Sequence, residues 1–245
     1  DFISTPYDPS SVEYLHSLGV RLIKTASADI VDHRIHKKIA QLKLKPIVAV
    51  GMATINEIKL VCEIYNAEQL KPILLHCVSN YPCAQESLNL RVLPELQEKF
   101  DTLTGFSDHS VGPLGAQISV ALGAKVVEKH FTLDKNFSGP DHKASSTPDE
   151  FKILVNGIRE VEKILGSHEK KIQDEEIQMY TVSRKSIVAS NNLNAGAILT
   201  ESSLEMLRPG GGLCGNDYYK LIGRKLSQNL AKGEKLSWDK IIDFK

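Results

Sequence analysis

The stretch LTGFSDHSVGPLGAQISVALGAKVVEKHF, residues 103–131, decides the fold class of this chain. It begins and ends with runs rich in β-forming residues, 103–107 and 125–131, and the segment 113–122 between them is apolar on most sides. Such a segment suits a buried helix that connects two buried strands. The stretch therefore predicts one strand–helix–strand unit with parallel strands.

The same unit recurs along the first half of the chain. Four further β-forming runs precede the stretch, and they span residues 2–5, 21–26, 46–51 and 72–78. Helical periodicity lies between them, as in residues 54–66, and another helix, 148–165, follows the last run. Both helices begin with a capping box, Thr54 with Glu57 and Thr147 with Glu150. This alternation predicts a parallel sheet.

Two architectures fit the alternation, an open doubly wound sheet and a (βα)8 barrel. Neither GxGxxG nor GxxxxGK[ST] follows any of the runs, which weakens a nucleotide-binding open sheet. Polar and ionisable residues follow nearly every run, and a barrel places its active site at the carboxyl ends of its strands. We therefore expect an α/β fold of the TIM (βα)8 type with six of its eight strands, and two βα units, about 60 residues, missing ahead of residue 1.

A second, smaller domain follows the barrel. The barrel is predicted to span residues 1–166, and residues 167–181 are polar and charged, as expected of a linker. Residues 182–245 contain short strand-like runs at 186–189 and 197–199, together with several glycines. This composition predicts a small, mostly β domain with a thin core.

Composition narrows the class of protein. The 245 residues carry a net charge of zero and no apolar run of membrane-spanning length, so neither nucleic acid nor a membrane is an expected partner. The four cysteines lack CxxC spacing, and we expect reduced thiols in a cytoplasmic protein. A Cys77–Cys83 bridge is also compatible with the spacing.

Two histidines follow consecutive runs, His109 in Ser-Asp-His and His130 in Glu-Lys-His. Neighbouring strand ends of a barrel lie at one rim, so the two imidazoles are candidates to bind a divalent metal, with oxygen ligands or water completing the site. The nearby carboxylates of Asp108 and Glu128 favour this interpretation. The alternative is that each histidine is hydrogen-bonded near the core.

Lys24 also ends a predicted strand, with Ser27 just after it. A lysine between apolar residues is costly to bury unless it meets an anion, so this end of the sheet is a candidate phosphate or carboxylate site. Hydroxyl groups that could assist follow other strands, namely those of Thr5, Ser79 and Ser107. Lys24 could instead form a Schiff base or a surface ion pair with Asp29.

Two loops carry further candidate residues. The loop 139–145, GPDHKAS, follows the last predicted strand, and Asp141 and His142 could contact sugar hydroxyls there, unless the loop is only a solvated turn. Arg208 precedes Pro-Gly-Gly-Gly in the small domain. Glycines allow close approach of the backbone, so this arginine could reach a carboxylate or sugar oxygen, although a flexible surface loop is the simpler interpretation.

Taken together, these segments resemble the N-acetylneuraminate (sialic acid) synthase, or NeuB-type, family over the whole chain. The matching segments are FISTPYD (2–8), KTASAD (24–29), VGMAT (50–54), LHCVSNYP (75–82), GFSDHS (105–110), EKHFTLD (128–134), GPDHKAS (139–145) and RPGGG (208–212). The resemblance implies a TIM barrel followed by an antifreeze-like (SAF) domain, in a domain-swapped homodimer. It also implies an enzyme that condenses phosphoenolpyruvate with an N-acetylated amino sugar.

The resemblance assigns a role to each candidate residue. His109 and His130 match the two histidines that bind Mn2+, or Mg2+ or Co2+. The positions around phosphoenolpyruvate match Thr5, Lys24, Ser27, Ser79 and Ser107. Those near the amino sugar match Asp29, Tyr81 and Asp141. Arg208 matches the arginine that the small domain delivers into the partner subunit's site, and Lys24 would act as an electrostatic clamp rather than a Schiff base.

Three departures from the family pattern leave the acceptor sugar open. Asp29 stands where many members have Glu, Ser79 where some have Asn, and Ala49 where a hydroxyl residue is common. N-acetylmannosamine, its 6-phosphate and diacetylated trideoxy sugars are all compatible with the sequence. The GPDH form of the loop 139–145 favours N-acetylmannosamine or the precursor of legionaminic acid.

Two other functions compete with the synthase. One is another metal-dependent barrel enzyme, such as an aldolase, and the other is a truncated, catalytically impaired remnant. The first two strands of the family carry an acidic residue and a lysine for which this sequence has no counterpart. We therefore expect this chain alone to be weakly active or inactive, unless another chain supplies those strands.

Overall fold

The computed structural model describes residues 1–242, which fold as two compact units, the first spanning Asp1–Gly166 and the second beginning at Ser167. The first unit alternates helices and strands. Its helices are α1 (Pro9–Ser17), α2 (His33–Gln41), α3 (Ile55–Ala67), α4 (Val92–Phe100), α5 (Leu114–Ala121) and α6 (Pro148–Leu165). Its strands are β1 (Leu22–Thr25), β2 (Lys45–Ala49), β3 (Ile73–His76), β4 (Thr104–Asp108) and β5 (Val126–Lys129).

These strands form one parallel sheet whose order, β1-β2-β3-β4-β5, follows the chain. A doubly wound sheet reverses its strand order at a switch point, where it binds its ligand. Strands that always advance in one direction instead wind as they do in a barrel. The strand order therefore favours the barrel-type fold over the open doubly wound alternative.

The sheet is strongly curled. Adjacent strands lie about 4.8 Å apart, so a flat sheet would separate β1 from β5 by roughly 19 Å. Instead, the Nζ atom of Lys24 in β1 lies 3.4 Å from Oε1 of Glu128 in β5. The two edge strands thus face each other across the concave side of a half-barrel.

The first predicted strand is reduced to one bridge. Residues 2–5 pair with β1 only through Ser4 and Ile23. The following Pro6 has no N–H with which to extend the ladder, and the side chain of Phe2 is left exposed. Within residues 1–242 the sheet therefore has five regular strands and this bridge, rather than the six strands predicted.

The helices agree with the sequence periodicity. Helices α3, α5 and α6 begin and end within one residue of the ranges predicted for them. Both predicted capping boxes are formed, by Thr54 with Glu57 and by Thr147 with Glu150. The apolar faces of α2 and α3 pack on β1 and β2 and bury a core that includes Ile23, Ile39, Val48 and Val61.

The second unit contains short elements. They are α7 (Ile177–Ser183), α8 (Tyr218–Leu221), β6 (Ser186–Ala189), β7 (Leu204–Leu207), β8 (Lys225–Leu226) and β9 (Ile241–Ile242). Strand β6 pairs with β7 and β8 pairs with β9, both antiparallel. The predicted run 197–199 contributes only a bridge between Ile198 and Lys225.

The segment predicted as a linker, 167–181, has structure of its own. It contains a 3-10 turn, Asp174–Glu176, and most of α7. Of the small domain predicted at 182–245, the last three residues lie outside the described range.

All four cysteines are free, so the Cys77–Cys83 bridge is not formed. Cys62, Cys77 and Cys83 are buried within the first unit. No helix in residues 1–242 combines the length and the apolar character that crossing a membrane requires.

A fully buried histidine joins α2 to α3. The Nδ1 atom of His36 lies 2.9 Å from the hydroxyl of Tyr65, and its Nε2 atom lies 3.2 Å from the carbonyl oxygen of Asp29. Burial lowers the pKa of His36 from 6.5 to about 4, although the hydrogen bond to Asp29 opposes this shift. The folded first unit therefore requires the neutral imidazole.

This histidine predicts acid lability. Because the pKa of His36 is lower in the folded state, its contribution to stability is complete above pH 6.5 and is lost as the pH falls toward 4. We expect the wild type to lose about 3 kcal/mol more unfolding free energy over that interval than His36→Gln, which does not titrate. Urea unfolding followed by far-UV ellipticity measures the difference, and equal losses in the two proteins would refute it.

Candidate active site

A cavity of about 500 Å³ opens at the carboxyl ends of the strands. Most of the residues predicted to act on a ligand line it. These are Thr5, Lys24, Ser27, Ser79, Tyr81, Ser107, His109, His130 and Asp141. Lys24 and Ser107 lie in β1 and β4. Thr5 follows the bridge at Ser4, and the others follow β1, β3, β4 or β5 in the chain, so the curl of the sheet brings them together.

The two histidines lie edge to face. The ring centroids of His109 and His130 are 5.5 Å apart, with an angle of 85° between the ring planes. Tyr81 packs against both, with its ring centroid 4.1 Å from that of His109 and 5.3 Å from that of His130. The two imidazoles are thus close enough to share one ion through metal–nitrogen bonds of about 2 Å.

Hydrogen bonds fix the orientation of His109. Its Nδ1 atom lies 2.8 Å from the carbonyl oxygen of Val78, which only an Nδ1–H can satisfy, and its Nε2 atom lies 3.3 Å from the hydroxyl of Ser107. Burial lowers the pKa of His109, and the neighbouring His130 lowers it further. A neutral ring whose Nδ1–H donates to a carbonyl leaves Nε2 unprotonated, the form that binds a metal, and here its lone pair accepts from the Ser107 hydroxyl.

His130 is more open and faces the loop 139–145. Its Nδ1 atom lies 3.8 Å from Oδ2 of Asp141, and about half of the Asp141 side chain is exposed. His142 of the same loop is not among the residues that line the cavity, because its Nδ1 pairs with the hydroxyl of Thr132 at 2.8 Å and its ring packs on Phe137. The loop therefore presents Asp141, and not His142, to the cavity.

Lys24 points into the cavity and pairs with Glu128 rather than with Asp29. The Lys24 Nζ to Glu128 Oε1 distance is 3.4 Å, and 18% of the Lys24 side chain is exposed. Because Glu128 leaves hydrogens of the ammonium free to bind another oxygen, Lys24 can still meet an anion. Glu128, which the sequence analysis noted only as a nearby carboxylate, thus belongs to the site.

Asp29 lies beside the cavity but does not line it. It belongs to the 3-10 helix Ser27–Val31, and within residues 1–242 its buried Oδ2 atom has no hydrogen-bond partner. Burial raises the pKa of Asp29, and Asp32 raises it further, whereas Lys24 opposes the shift. The place near the amino sugar that the resemblance implies for Asp29 stays a prediction.

A cluster of small polar groups forms the floor near Lys24. The N–H of Gly51 donates to Ser27 Oγ at 3.1 Å, and the same oxygen lies 3.1 Å from Cys77 Sγ. Together with Ser79, these groups present hydroxyl and thiol hydrogens beside an ammonium. Such an arrangement can hold an anion.

Besides Glu128, six residues that line the cavity were not predicted. Three are alanines, Ala26, Ala28 and Ala49, and the larger three are Tyr7, Met52 and Cys77. Tyr7 and Cys77 each lie two positions from a predicted site residue, Thr5 and Ser79, so the alternation of side chains at strand ends could have identified them. Met52 has a left-handed backbone conformation (φ 59°), which the sequence does not signal.

Arg208 belongs to the second unit, where it is exposed at the end of β7. The loop after it is held within that unit, because Ser186 Oγ donates to the carbonyl of Pro209 and Lys235 Nζ donates to that of Gly210. These hydrogen bonds fix the glycine loop to the second unit, and the exposed Arg208 stands at the start of that loop.

The donor set fits a divalent ion only in part. His109 and His130 supply two nitrogens, and within residues 1–242 no group of three or more histidine, cysteine or acidic side chains is arranged to hold a metal. Two imidazoles with water or substrate oxygens in the remaining positions are compatible with Mn2+ and similar ions.

These features define an α/β protein of the barrel type, with a candidate active site at the carboxyl ends of its strands. A small β domain follows the barrel-type unit along the chain. The NeuB family profile matches residues 1–170, and the SAF domain profile matches residues 184–242. The chain belongs to the NeuB family.

Relatives in this family are synthases of sialic-acid-type sugars. The chain is 38% identical to the N,N'-diacetyllegionaminic acid synthase of Legionella pneumophila, over 98% of this chain and 69% of the relative. It is 37% identical to the pseudaminic acid synthase of Campylobacter jejuni, over 95% of this chain and 68% of the relative. A crystal structure of N-acetylneuraminic acid (sialic acid) synthetase from Leptospira borgpetersenii, in complex with citrate, superposes with a TM-score of 0.68 and 34% identity, covering 71% of this chain and 61% of that one.

Gly51 is predicted to be irreplaceable in the cavity floor. A Cβ atom at this position would lie 2.7 Å from Cys77 Sγ, 2.8 Å from Ser79 Oγ and 2.9 Å from Ser27 Oγ. We expect Gly51→Ala to lower the unfolding free energy by about 1–3 kcal/mol through overpacking, as measured by urea unfolding.

Two further variants show whether the crowding causes this loss. Cys77→Ala should restore part of the stability in the Gly51→Ala background, because it removes the closest atom. Gly215→Ala, where the nearest atom to a Cβ is 3.7 Å away, should have little effect. A Gly51→Ala protein as stable as the wild type would contradict the close packing of Ser27, Cys77 and Ser79 around Gly51.

Proposed function

We propose that this chain carries the active site of a synthase that condenses phosphoenolpyruvate with N-acetylmannosamine or a related N-acetylated sugar. The products are a sialic-acid-type nonulosonate and phosphate. The observation that carries the proposal is the convergence of His109, His130 and Lys24 on one cavity, with hydroxyl groups beside the lysine.

The anion site suits phosphoenolpyruvate. Lys24 supplies a positive charge, and the hydroxyls of Ser27, Ser79, Ser107 and Thr5 supply hydrogen bonds to phosphate or carboxylate oxygens. Lys24 acts here as an electrostatic clamp, because its ammonium lines the cavity and pairs with a single carboxylate, that of Glu128.

The two histidines are proposed to hold the divalent cofactor, Mn2+ or a similar ion. The unprotonated Nε2 atom of His109, whose Nδ1–H donates to Val78, is the basis for this assignment. When bound, such an ion supplies Lewis-acid polarisation of the aldehyde oxygen of the open-chain sugar. His109 and Tyr81, packed ring against ring, keep this part of the cavity rigid.

The reaction balances without a redox cofactor. The methylene carbon of phosphoenolpyruvate forms a bond to the aldehyde carbon of the sugar, and the aldehyde oxygen takes up a proton to become a hydroxyl. Water then adds to the carbon that bears the phosphate ester and releases a proton. The bond between that carbon and the ester oxygen breaks, the new hydroxyl group on the carbon gives up its proton to become the keto group, and phosphate leaves with that proton.

The sugar is proposed to lie over Tyr81 and Asp141. Asp141 can accept hydrogen bonds from sugar hydroxyls, since about half of its side chain is open. Asp29 is proposed to lie near the sugar, since its neighbours Ser27 and Ala28 line the cavity. Arg208 is proposed to reach the site of the partner subunit in a domain-swapped homodimer, for which its exposure on an anchored glycine loop is suitable.

Phosphate release in the presence of Mn2+, phosphoenolpyruvate and N-acetylmannosamine tests the reaction. Release that requires all three components would support the synthase. Binding of phosphoenolpyruvate without turnover would instead favour the catalytically impaired remnant. Sugar cleavage or condensation without phosphate release would favour a metal-dependent aldolase and refute the proposal.

Two substitutions at the anion site are predicted to act in opposite directions. Lys24→Met should weaken phosphoenolpyruvate binding about 10- to 100-fold, because it removes a charge-assisted contact. Glu128→Gln should tighten binding several-fold, because it frees the ammonium from its ion pair. Isothermal titration calorimetry with phosphoenolpyruvate measures both effects.

Lys71→Met is the matched control, since Lys71 is exposed and pairs with Asp101 away from the cavity. It should leave the affinity unchanged. Equal affinities in the wild type and in Lys24→Met would rule out Lys24 as the anion clamp.

A further inference from the structure

A second pair of charges lies directly behind the two histidines. Asp108 precedes His109 at the end of β4, and Lys129 precedes His130 at the end of β5. The two residues are register partners, and the Lys129 Nζ to Asp108 Oδ2 distance is 2.9 Å. Their side chains are only 1% and 0% exposed, so water does not screen the pair.

The pair faces away from the cavity. Successive side chains of a strand point to opposite faces. Ser107 and Glu128, one position before each partner, line the cavity, whereas neither carboxylate oxygen of Asp108 is part of its wall. Asp108 instead lies under the start of α5, where Gly115 allows close approach: a Cβ there would be 3.5 Å from Asp108 Oδ1.

Apart from the bond between the two partners, every hydrogen bond of their side chains is made with the segment just after His109. The backbone N–H and the hydroxyl of Ser110 donate to Asp108 Oδ1 at 2.8 and 2.7 Å. Lys129 Nζ donates to Asp108 Oδ2 and to the carbonyl oxygens of Ser110 and Gly112. Three acceptors use all three ammonium hydrogens, so the lysine is fully satisfied in one geometry.

Stability alone does not explain this arrangement. Removing two charges from water is costly, and an apolar pair of similar volume is often as stable as a buried ion pair. An apolar pair, however, would hold neither the Ser110 backbone nor the relative position of the two strand ends. What the ion pair adds is a single defined geometry at the point where both histidines leave the sheet.

We propose that Asp108 and Lys129 are positioning residues that set the orientation of His109 and His130 relative to each other, and thereby the affinity of the two-histidine site for a divalent ion. The proposal about affinity rests on the proposed function. The proposal about orientation rests only on the contacts described above.

The decisive variant replaces both charges by apolar side chains of similar size, Asp108→Leu with Lys129→Met. It avoids an unpaired buried charge but leaves the N–H and the hydroxyl of Ser110 without their acceptor, so its melting temperature should fall moderately while the protein stays folded. Its affinity for Mn2+ alone, measured by the electron paramagnetic resonance signal of free Mn2+, should fall about 10- to 100-fold, as is typical when the groups that orient metal ligands are removed.

Phe106→Leu is the matched control. Phe106 is fully buried on the same strand and alternates with the cavity-facing Ser107, so this variant perturbs the same face without touching the ion pair. It should lower the melting temperature and leave the Mn2+ affinity unchanged. A double variant that binds Mn2+ as tightly as the wild type, or a control that loses as much affinity as the double variant, overturns the positioning role.

Nitrogen-15 spectra of the imidazole side chains, recorded without metal, separate this inference from the proposed function. In the wild type, Nδ1 of His109 should carry the proton that is donated to Val78. If the wild type binds no Mn2+, the metal site fails, and these spectra alone decide the positioning role. A changed His109 signal in the double variant supports it, and an unchanged signal refutes it.

If the double variant does not fold, Asp108→Asn is used with the same measurements. It keeps the shape of the side chain and removes the charge that Lys129 binds. The expected results, a changed His109 signal and weaker Mn2+ binding, and the contradicting results are the same.

Discussion

The curl of the parallel sheet is the constraint on which the candidate site depends. Only because β1 and β5 face each other can Lys24, near one edge, meet Glu128 at the other across 3.4 Å. The same curvature gathers residues from separate strand ends around one cavity. Helices α2 and α3 share with the sheet an apolar core in which Ile23, Ile39 and Val61 are fully buried.

The cavity has two chemically distinct parts. One part contains the ammonium of Lys24 together with the hydroxyl of Ser27 and the thiol of Cys77, and it is suited to bind an anion. Around Tyr81 lie two imidazoles, of which His109 is kept neutral by burial. Glu128 separates the two parts and balances the charge of the lysine in the absence of an anion. An anionic and a neutral oxygen-rich partner can therefore bind side by side, which is what a condensation between them requires.

The sequence predicted regular elements well and irregular contacts poorly. Capping boxes and three- and four-residue periodicity located α3 and α6, because these signals are local. The strand predicted at residues 2–5 is only a single bridge, because Pro6 has no N–H with which to continue the pairing. The proximity of His109 and His130 was predicted from the rule that neighbouring strands of a barrel end at the same rim.

Other features of the site depended on distances that no local pattern encodes. Lys24 was expected to meet an anion or Asp29, yet its partner is Glu128, more than a hundred positions later in the chain. Asp29, assigned near the sugar by resemblance, lies in a 3-10 helix beside the cavity and is not among the residues that line it. The ion pair behind the histidines required the strand register, which only the folded sheet supplies.

The most direct test of the central claim is anomalous diffraction at the manganese absorption edge from crystals of this chain grown with Mn2+ and phosphoenolpyruvate. The account predicts one manganese peak within bonding distance of both His109 and His130, and a phosphoenolpyruvate oxygen within hydrogen-bond distance of Lys24 Nζ. A manganese peak away from either imidazole, or phosphoenolpyruvate bound outside this cavity, would contradict it.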